Sequence, residues 1–455
     1  MSRNSTEDQA PKIGGKIRQL RRQRGMSQAQ LAGELAISAS YLNLLEHNRR
    51  KITVPLLLKL AQKFGLEISD LSDSDEARLS GDLMEMFSDQ MFGEVDITNH
   101  EVRELANSSP TIARSMLQLY DSYRSSLNDF SLTQASNFPK HELLASEQIS
   151  DFLQANANYF SELEEVAARV RSNLDPSAQS SFESMSSYIL NVFGVRTSIG
   201  PLPENMNQRI SEGGEKFTIS ETLPWESRLF HLATAIARVS AKPEIDKLVE
   251  KAGFSHEEIE KLARKNLASY VAGALIMPYE IFHTTAREMR YDLERLAQRF
   301  GVSFEQACHR LTTLQKPGMT GIPFHLIRTD IAGNVSKRFS MSGIQIPRHG
   351  GACPRWNVYE AFLQPGRIMI QISEMPDGNR YFCIARTMTK GENRHNASLR
   401  HLSIGLGCDL SYAKQLVYSD GLDVDNPTKV VPIGVSCRIC PRKDCSVRAF
   451  PGLIA

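Results

Sequence analysis

Three cysteines crowd together near the C-terminus: Cys437, Cys440 and Cys445, spaced C-x2-C-x4-C in the string SCRICPRKDCSVRAFP. A C-x2-C turn places two thiolates on one side of a tight loop, and a third thiol five residues on can reach the same centre. Soft thiolates in this arrangement suit an iron–sulfur cluster or Zn²⁺. Both centres normally take a fourth ligand. Cys353, in GGACPRWNVYEAF, is the leading candidate because Gly350-Gly351 and Pro354 place it on a loop, and His349 is the runner-up. An iron–sulfur cluster is the expected occupant, since three close cysteines and one remote ligand suit a cubane. Zinc is the alternative, because the same thiolates bind it without assembly machinery. Arg438, Arg442, Lys443 and Arg448 would offset the charge of either centre. Cys308, Cys383 and Cys408 lie in apolar or mixed runs and are expected in the core.

The second chemical signal is charge. Formal net charge is +1 over 455 residues, but residues 12–64 carry eleven Lys or Arg against Glu34 and Glu46. Residues 73–110 carry ten Asp or Glu against Arg78 and Arg103. So sharp a change of sign marks a module boundary near residue 72. The basic segment can sit on phosphate, and the acidic one would be repelled by it.

The elements that must position the basic residues are short helices. Lys12 to Arg24 reads as an amphipathic helix with Ile13, Ile17 and Leu20 on one face. Gly25 stops it, and Ser27 caps a second helix over 28–35. Ala36-Ile37 makes a tight turn, and Ser38 caps a third helix over 39–47 whose Leu42 and Leu45 pack inward. Asn48-Arg49-Arg50-Lys51 follows at once, and a fourth helix over 55–64 starts on Pro55. The string MSQAQLAGELAISASYLNLLEHNRRKIT resembles the phage-repressor-like (XRE/Cro) helix-turn-helix family. The resemblance implies a third helix in the major groove of double-stranded operator DNA. Carried over by position, Ser38, Ala39, Ser40, Tyr41, Asn43 and Leu44 would meet base edges, and Gln28, Asn48, Arg49 and Arg50 would hold phosphates. Ala39 and Leu44 depart from the polar residues common there and suit thymine methyl groups or no contact. Tyr41 divides between core and contact. One such unit reads only a few base pairs, so binding to two half-sites as a homodimer or higher homo-oligomer is expected.

Hydrophobic residues make up 41% and charged residues 23%, ordinary for a globular chain. No apolar run reaches the roughly 18 residues of a membrane helix, and MSRNSTEDQAPKIGG lacks a signal-peptide core. A cytoplasmic protein is expected, in which a disulfide framework would be out of place. Residues 76–190 and 226–314 show helical periodicity. Ser187–Val195 and Lys216–Ser220 read as strands. Arg367–Ile372 alternates with period two and is expected to form a hairpin with Tyr381–Thr387 across Met375-Pro376-Asp377-Gly378.

Residues 225–314 resemble the IrrE-like, M78-type zinc peptidase domain through WESRLFHLATAIARV, LASYVAGALIMPYEIF and YDLERLAQRFGVSFEQACHRLTTL. An active member carries His-Glu-x-x-His, whose two His share a helix face on zinc while the Glu activates water. The matching positions here are Thr234, Ala235 and Arg238, and Lys265 stands where a further acidic ligand belongs. No zinc chemistry survives in these residue types, so the domain is expected to be a non-enzymatic frame, with His231 structural.

Helix-turn-helix, acidic helical linker, degenerate M78 frame, GGACPRWNVYEAF and CRICPRKDCSVRAFP together resemble the short-chain fatty acyl-CoA regulator family, the PrpR/RamB-like bacterial regulators, over nearly the full length. The resemblance implies an acyl-CoA effector bound by the C-terminal domain and control of genes of acetate- or propionate-type metabolism. The CoA phosphates call for cations, and Arg348, Arg355 and Arg386 are candidates. The expected fold is multidomain, mainly α with α+β. The expected parts are a disordered N-terminus (1–11), an all-α helix-turn-helix domain (12–72), a helical linker and dimerization region (73–185), an M78-like α+β frame (186–318) and an α+β sensor domain (319–455). The rival reading is a redox or iron-sensing regulator in which the cysteine cluster is the whole input.

Overall fold

The structure is a computed structural model that describes residues 14–46, 50, 52–64, 74–92, 97–131, 141–204, 206–254, 256–347, 352–391 and 399–449. It divides into two compact units, Met1–Leu127 and Asn128–Ala455.

The first unit opens with α1 (Gly14–Gln23), α2 (Gln28–Leu35), α3 (Ala39–Glu46) and α4 (Val54–Phe64). Ser27 accepts from the Gln30 backbone while the Gln30 side chain accepts from the Ser27 backbone, a reciprocal box that fixes where α2 begins. The α2–α3 turn passes through Ala36 in the left-handed region at φ 56°. Ile17, Leu31, Leu35, Leu42, Leu45, Leu56 and Leu60 close a small core from all four helices. The next helices, α5 (Ser74–Phe87), α6 (Asn99–Ser108) and α7 (Pro110–Ser131), build a separate core from Leu79, Leu83, Met86, Val102, Ala106, Ala113 and Tyr120.

The second unit begins with α8 (His141–Ala155), α9 (Ser161–Ser172) and α10 (Ser181–Phe193). The strand expected over Ser187–Val195 is the C-terminal half of α10. Ser180 caps the helix, Met185 and Ile189 bury one turn apart, and Gly194 stops it at φ 70°. Caps and 3.6-residue burial outweigh the β-propensity of the sequence here. A boundary at 185/186 would cut this helix, and α8–α10 pack into the same core as the frame that follows. A three-stranded sheet of order β1-β3-β2 comes next, from β1 (Arg196–Gly200), β2 (Gln208–Ile210) and β3 (Lys216–Ser220). The helices α11 (Trp225–Ser240), α12 (Lys242–Ala252), α13 (Glu257–Ile276), α14 (Tyr279–Glu288), α15 (Leu293–Phe300) and α16 (Phe304–Thr312) complete the frame. The central helix is α13, which packs on α8, α9, α11 and α12.

A two-stranded ladder, β4 (Gln315–Lys316) with β5 (Met319–Thr320), leads to a six-stranded sheet. Its order is β11-β8-β9-β10-β6-β7, from β6 (His325–Asp330), β7 (Val335–Ser340), β8 (Met369–Glu374), β9 (Arg380–Lys390), β10 (Arg400–Asp409) and β11 (Val430–Pro432). The expected hairpin is β8–β9, with Glu374 opposite Arg380. Alternation along β9 separates two cores: Phe382 and Ile384 face the frame, while Cys383 and Ala385 face the short helix α17 (Asn357–Glu360) and the C-terminal loop. Gly405 is dictated by α17, because a Cβ there would come within 2.5 Å of Val358 Cγ1.

Candidate DNA-binding and effector sites

In α3, Ser38 Oγ accepts from the Tyr41 backbone at 3.1 Å and lies 3.1 Å from Ser40 Oγ. Ser38, Ala39, Ser40, Asn43 and Leu44 are exposed, Tyr41 is half-buried, and Leu42 and Leu45 point inward. The Arg50 guanidinium lies 6.0 Å from the Tyr41 ring centroid, at the end of the same surface. Asn48 and Arg49 fall outside the described residues. Gln28 is spent differently from expectation: its amide donates to Glu46 Oε2 at 2.8 Å. Arg21 forks onto the same carboxylate, Nε to Oε1 at 2.6 Å and Nη2 to Oε2 at 3.0 Å. Burial pushes the Glu46 carboxyl up, but hydrogen bonds from Arg21 and Gln28 and the charges of Arg21 and Arg18 outweigh it and hold the group below its ordinary range. The Gln28 side chain therefore ties α2 to α3 instead of reaching outward. Sequence reasoning missed this network, although a lone acid directly after Leu45, inside so basic a segment, was the available signal.

On α11, the hydroxyl of buried Thr234 donates to the Phe230 carbonyl at 2.7 Å, Ala235 offers no donor atom, and Arg238 is exposed. Lys265 lies exposed on α13. A threonine hydroxyl bonded to its own helix, an alanine and two cations cannot hold zinc, so this frame does not fit the metal that the resemblance to M78-type peptidases would imply. His231 bridges α11 to β2 through Gln208, Nδ1 to Oε1 at 2.8 Å. Desolvation and the Arg238 charge push its pKa down.

The C-terminal loop brings Cys353 toward its expected neighbours. The Cys353 backbone donates to the Val435 carbonyl at 2.9 Å, and burial, then the nearby Cys437 and Cys440, push its thiol pKa up. Cys440 Sγ occupies the space beside Gly434, where a Cβ would come within 2.8 Å of the sulfur. Arg448 knits the loop by donating to the carbonyls of Cys437 (2.7 Å), Cys440 (2.9 Å) and Arg442. Cys437, Cys440 and Cys445 are half-exposed. Among the described residues, no three His, Cys, Asp or Glu side chains converge closely enough to hold a metal ion. The thiols have the right chemistry for zinc or iron–sulfur. Cys308, Cys383 and Cys408 are buried, as expected.

Between α17 and the sheet lies a small cavity of about 20 Å³, room for little more than one water, lined by His325, Trp356, Asn357, Gln371, Cys383 and Ile433 among others. His325 Nδ1 is 2.8 Å from Ser342 Oγ, and its Nε2 is 3.6 Å from Cys383 Sγ. Desolvation pushes the His325 pKa down to about 3 and the Cys383 thiol up to about 12, so both are neutral at pH 7. Of the candidate effector arginines, Arg355 and Arg386 lie on opposite sides of the sheet. Arg348 lies outside the described residues, and Arg355 is half-buried on the loop before α17. Arg386 is on the opposite face of the sheet, 3.1 Å from Glu294 and over the Phe304 ring at 5.2 Å. Arg386 thus clamps the sheet to the frame.

Residues 313–455 match the family described as short-chain fatty acyl coenzyme A regulator, C-terminal; 191–312 match the IrrE N-terminal-like domain, and 17–71 match a helix-turn-helix. The HTH-type transcriptional regulator RamB of Mycobacterium tuberculosis is 36% identical over 449 residues, covering 97% of this chain and 94% of that protein. The chain belongs to the short-chain fatty acyl-CoA regulator family. The regulator is also 36% identical to the HTH-type transcriptional regulator PrpR of M. tuberculosis, over 97% of this chain and 92% of PrpR. It is 35% identical to the propionyl-CoA carboxylase regulator of Cereibacter sphaeroides, over 97% of this chain and 94% of that protein. A solved structure described as a Mycobacterium tuberculosis transcriptional regulator matches with a TM-score of 0.65 at 39% identity, covering 68% of the regulator and 95% of that chain. The regulator is thus a helix-turn-helix transcription regulator of the RamB/PrpR type. Among its described residues, no helix is long and apolar enough to cross a membrane.

Proposed function

We propose that this regulator is a non-enzymatic cytoplasmic transcription factor that binds operator DNA as a homodimer, and that a short-chain acyl-CoA bound by the C-terminal domain changes its operator affinity. The carrying observation is the match of residues 313–455 to the acyl-CoA regulator family on a chain whose N-terminus matches a helix-turn-helix. Dimerization is supported by α7, which leaves Ile112, Leu119 and Tyr123 exposed. The test is calorimetric titration of the full chain with acetyl-, propionyl-, butyryl- and free CoA. The reading expects binding that depends on acyl length; equal affinity for all four, or none, would refute it.

A second reading, a redox or iron-sensing regulator with an iron–sulfur or zinc centre on the cysteine loop, is favoured by the closeness of Cys353 to Cys437 and Cys440. Anaerobic purification with iron, zinc and sulfide analysis decides it. Stoichiometric metal lost in Cys440→Ser supports this reading, and metal-free protein with a normal acyl-CoA response refutes it.

A further inference from the structure

Where the six-stranded sheet meets the helical frame, cations from several elements gather round one carboxylate. Glu305 on α16 accepts from Arg328 of β6 at 2.7 Å, pairs with Lys390 at the end of β9, and lies 3.6 Å from His309 Nε2. Lys337 of β7 brings its Nζ to 3.3 Å from the same His309 nitrogen. Lys265 of α13 is close enough to act on Lys337 as a like charge. Lysines on edge strands usually point outward and guard the edge. Lys337 instead leans across α16 into a group that is already cationic.

From this geometry we propose that Arg328, Lys337, Lys390 and Lys265 form a site for a phosphate-bearing anion at the joint between frame and sensor sheet. Two observations favour an anion over a purely structural ion pair. The Glu305 carboxylate is already shared by Arg328 and Lys390, so Lys337 and Lys265 add positive charge in excess of it. Desolvation lowers the Lys337 ammonium to about 8, and Arg328, Lys390 and Lys265 add to that fall against the opposing pull of Glu305. His309, pushed down to about 4 by desolvation and by Lys337, is neutral and leaves the excess untouched. A diphosphate or a phosphomonoester supplies the missing negative charge and accepts from ammonium and guanidinium donors together. The contributing residues come from both sides of the joint, so an anion seated there would fasten sheet to frame. The site lies on the frame face of the sheet, opposite the cavity under α17.

The proposal rests on the acyl-CoA reading only in naming CoA as one source of the phosphate; a free phosphate compound is the other. The test is titration of the full chain with inorganic pyrophosphate and, separately, with CoA. Lys265→Gln/Lys337→Gln is compared with a single-charge control, Lys59→Gln, in the DNA-binding unit. Both altered lysines of the double variant are exposed, so folding is checked by an unchanged unfolding midpoint without ligand. Pyrophosphate binding that weakens at least tenfold in the double variant, stays unchanged in Lys59→Gln and partly returns in Lys265→Gln/Lys337→Arg supports the site. A matching loss for CoA identifies CoA as the source, and a loss for pyrophosphate alone identifies a separate phosphate ligand. No pyrophosphate binding at millimolar concentration, or equal affinity in wild type and double variant, overturns the proposal. Either failure leaves the acyl-CoA reading standing if acyl-CoA still binds in order of chain length.

Discussion

Removing the Glu46 carboxylate should unfold the DNA-binding unit, although Glu46 is not itself expected on the DNA. The side chain of Glu46 is fully buried and is held by Nε and Nη2 of Arg21 and by the Gln28 amide. Glu46→Ala leaves the Arg21 guanidinium largely buried without its partner, and breaking a buried pair in this way costs about 3–5 kcal/mol. A four-helix unit of roughly 50 residues has only ~3–8 kcal/mol of stability in total, so the loss consumes most or all of it. The assay is differential scanning calorimetry of the full chain, following the transition assigned to the helix-turn-helix, with operator binding by fluorescence anisotropy. The expected result is loss or a large downward shift of that transition and loss of DNA binding, with the transition of the second unit unmoved. Arg21→Met/Glu46→Met should cost less than Glu46→Ala, because it leaves no buried charge. The pH dependence has a defined sign. The folded carboxyl lies below its ordinary value near 4.5, so its stabilisation is present above that value and is lost as pH falls through the folded pKa. Glu46→Ala should flatten this acid limb. A Glu46→Ala protein with wild-type unfolding and DNA affinity would refute the reasoning.

Three further outcomes follow from the same geometry. Arg49→Ala/Arg50→Ala should weaken binding to every duplex and reduce the slope of log K against log salt by about 1.8, near 0.9 per phosphate contact; an unchanged slope would place the phosphate contacts elsewhere. Gly407→Ala would bring a Cβ within 2.5 Å of the His325 ring and 2.9 Å of the Phe382 carbonyl, and should destabilise the second unit by about 1–3 kcal/mol in thermal unfolding. Arg310→Met should cost ~3–5 kcal/mol in the same unit, because it strands Glu164, which now receives Arg310 at 2.6 and 2.9 Å; a change under about 1 kcal/mol would show that the pair is dispensable.

The helix-turn-helix was legible because its signals are local: caps at Ser27 and Ser38, a two-residue turn, and apolar residues at helical spacing. The β8–β9 hairpin was legible for the same reason, through period-two alternation around a Pro-Asp-Gly turn. The stretch at Ser187–Val195 misled because its β-branched and aromatic residues suit a strand, while its helical state is fixed by Ser180 and Gly194 outside the window and by burial of Met185 and Ile189 against the frame. The vacated zinc site was readable from residue types alone, since no fold can turn Ala235 into a base. The roles of Gln28 and Arg386 were not readable, because each is set by a partner far away in sequence, Glu46 and Glu294. The cluster around Glu305 was invisible for the same reason: its members come from α13, α16, β6, β7 and β9 and meet only when the sheet docks on the frame.

The most direct test of the account is operator affinity of the full chain with and without acyl-CoA, on a duplex selected from a random library, at one fixed salt concentration. Coupling between effector and operator sites of the usual size, about 1–3 kcal/mol, corresponds to a 5- to 150-fold change in Kd. The account predicts a change in that range with at least one of acetyl-, propionyl- or butyryl-CoA, and a smaller one with free CoA. An operator Kd that stays the same with all of them, at concentrations where they saturate the protein, would contradict it.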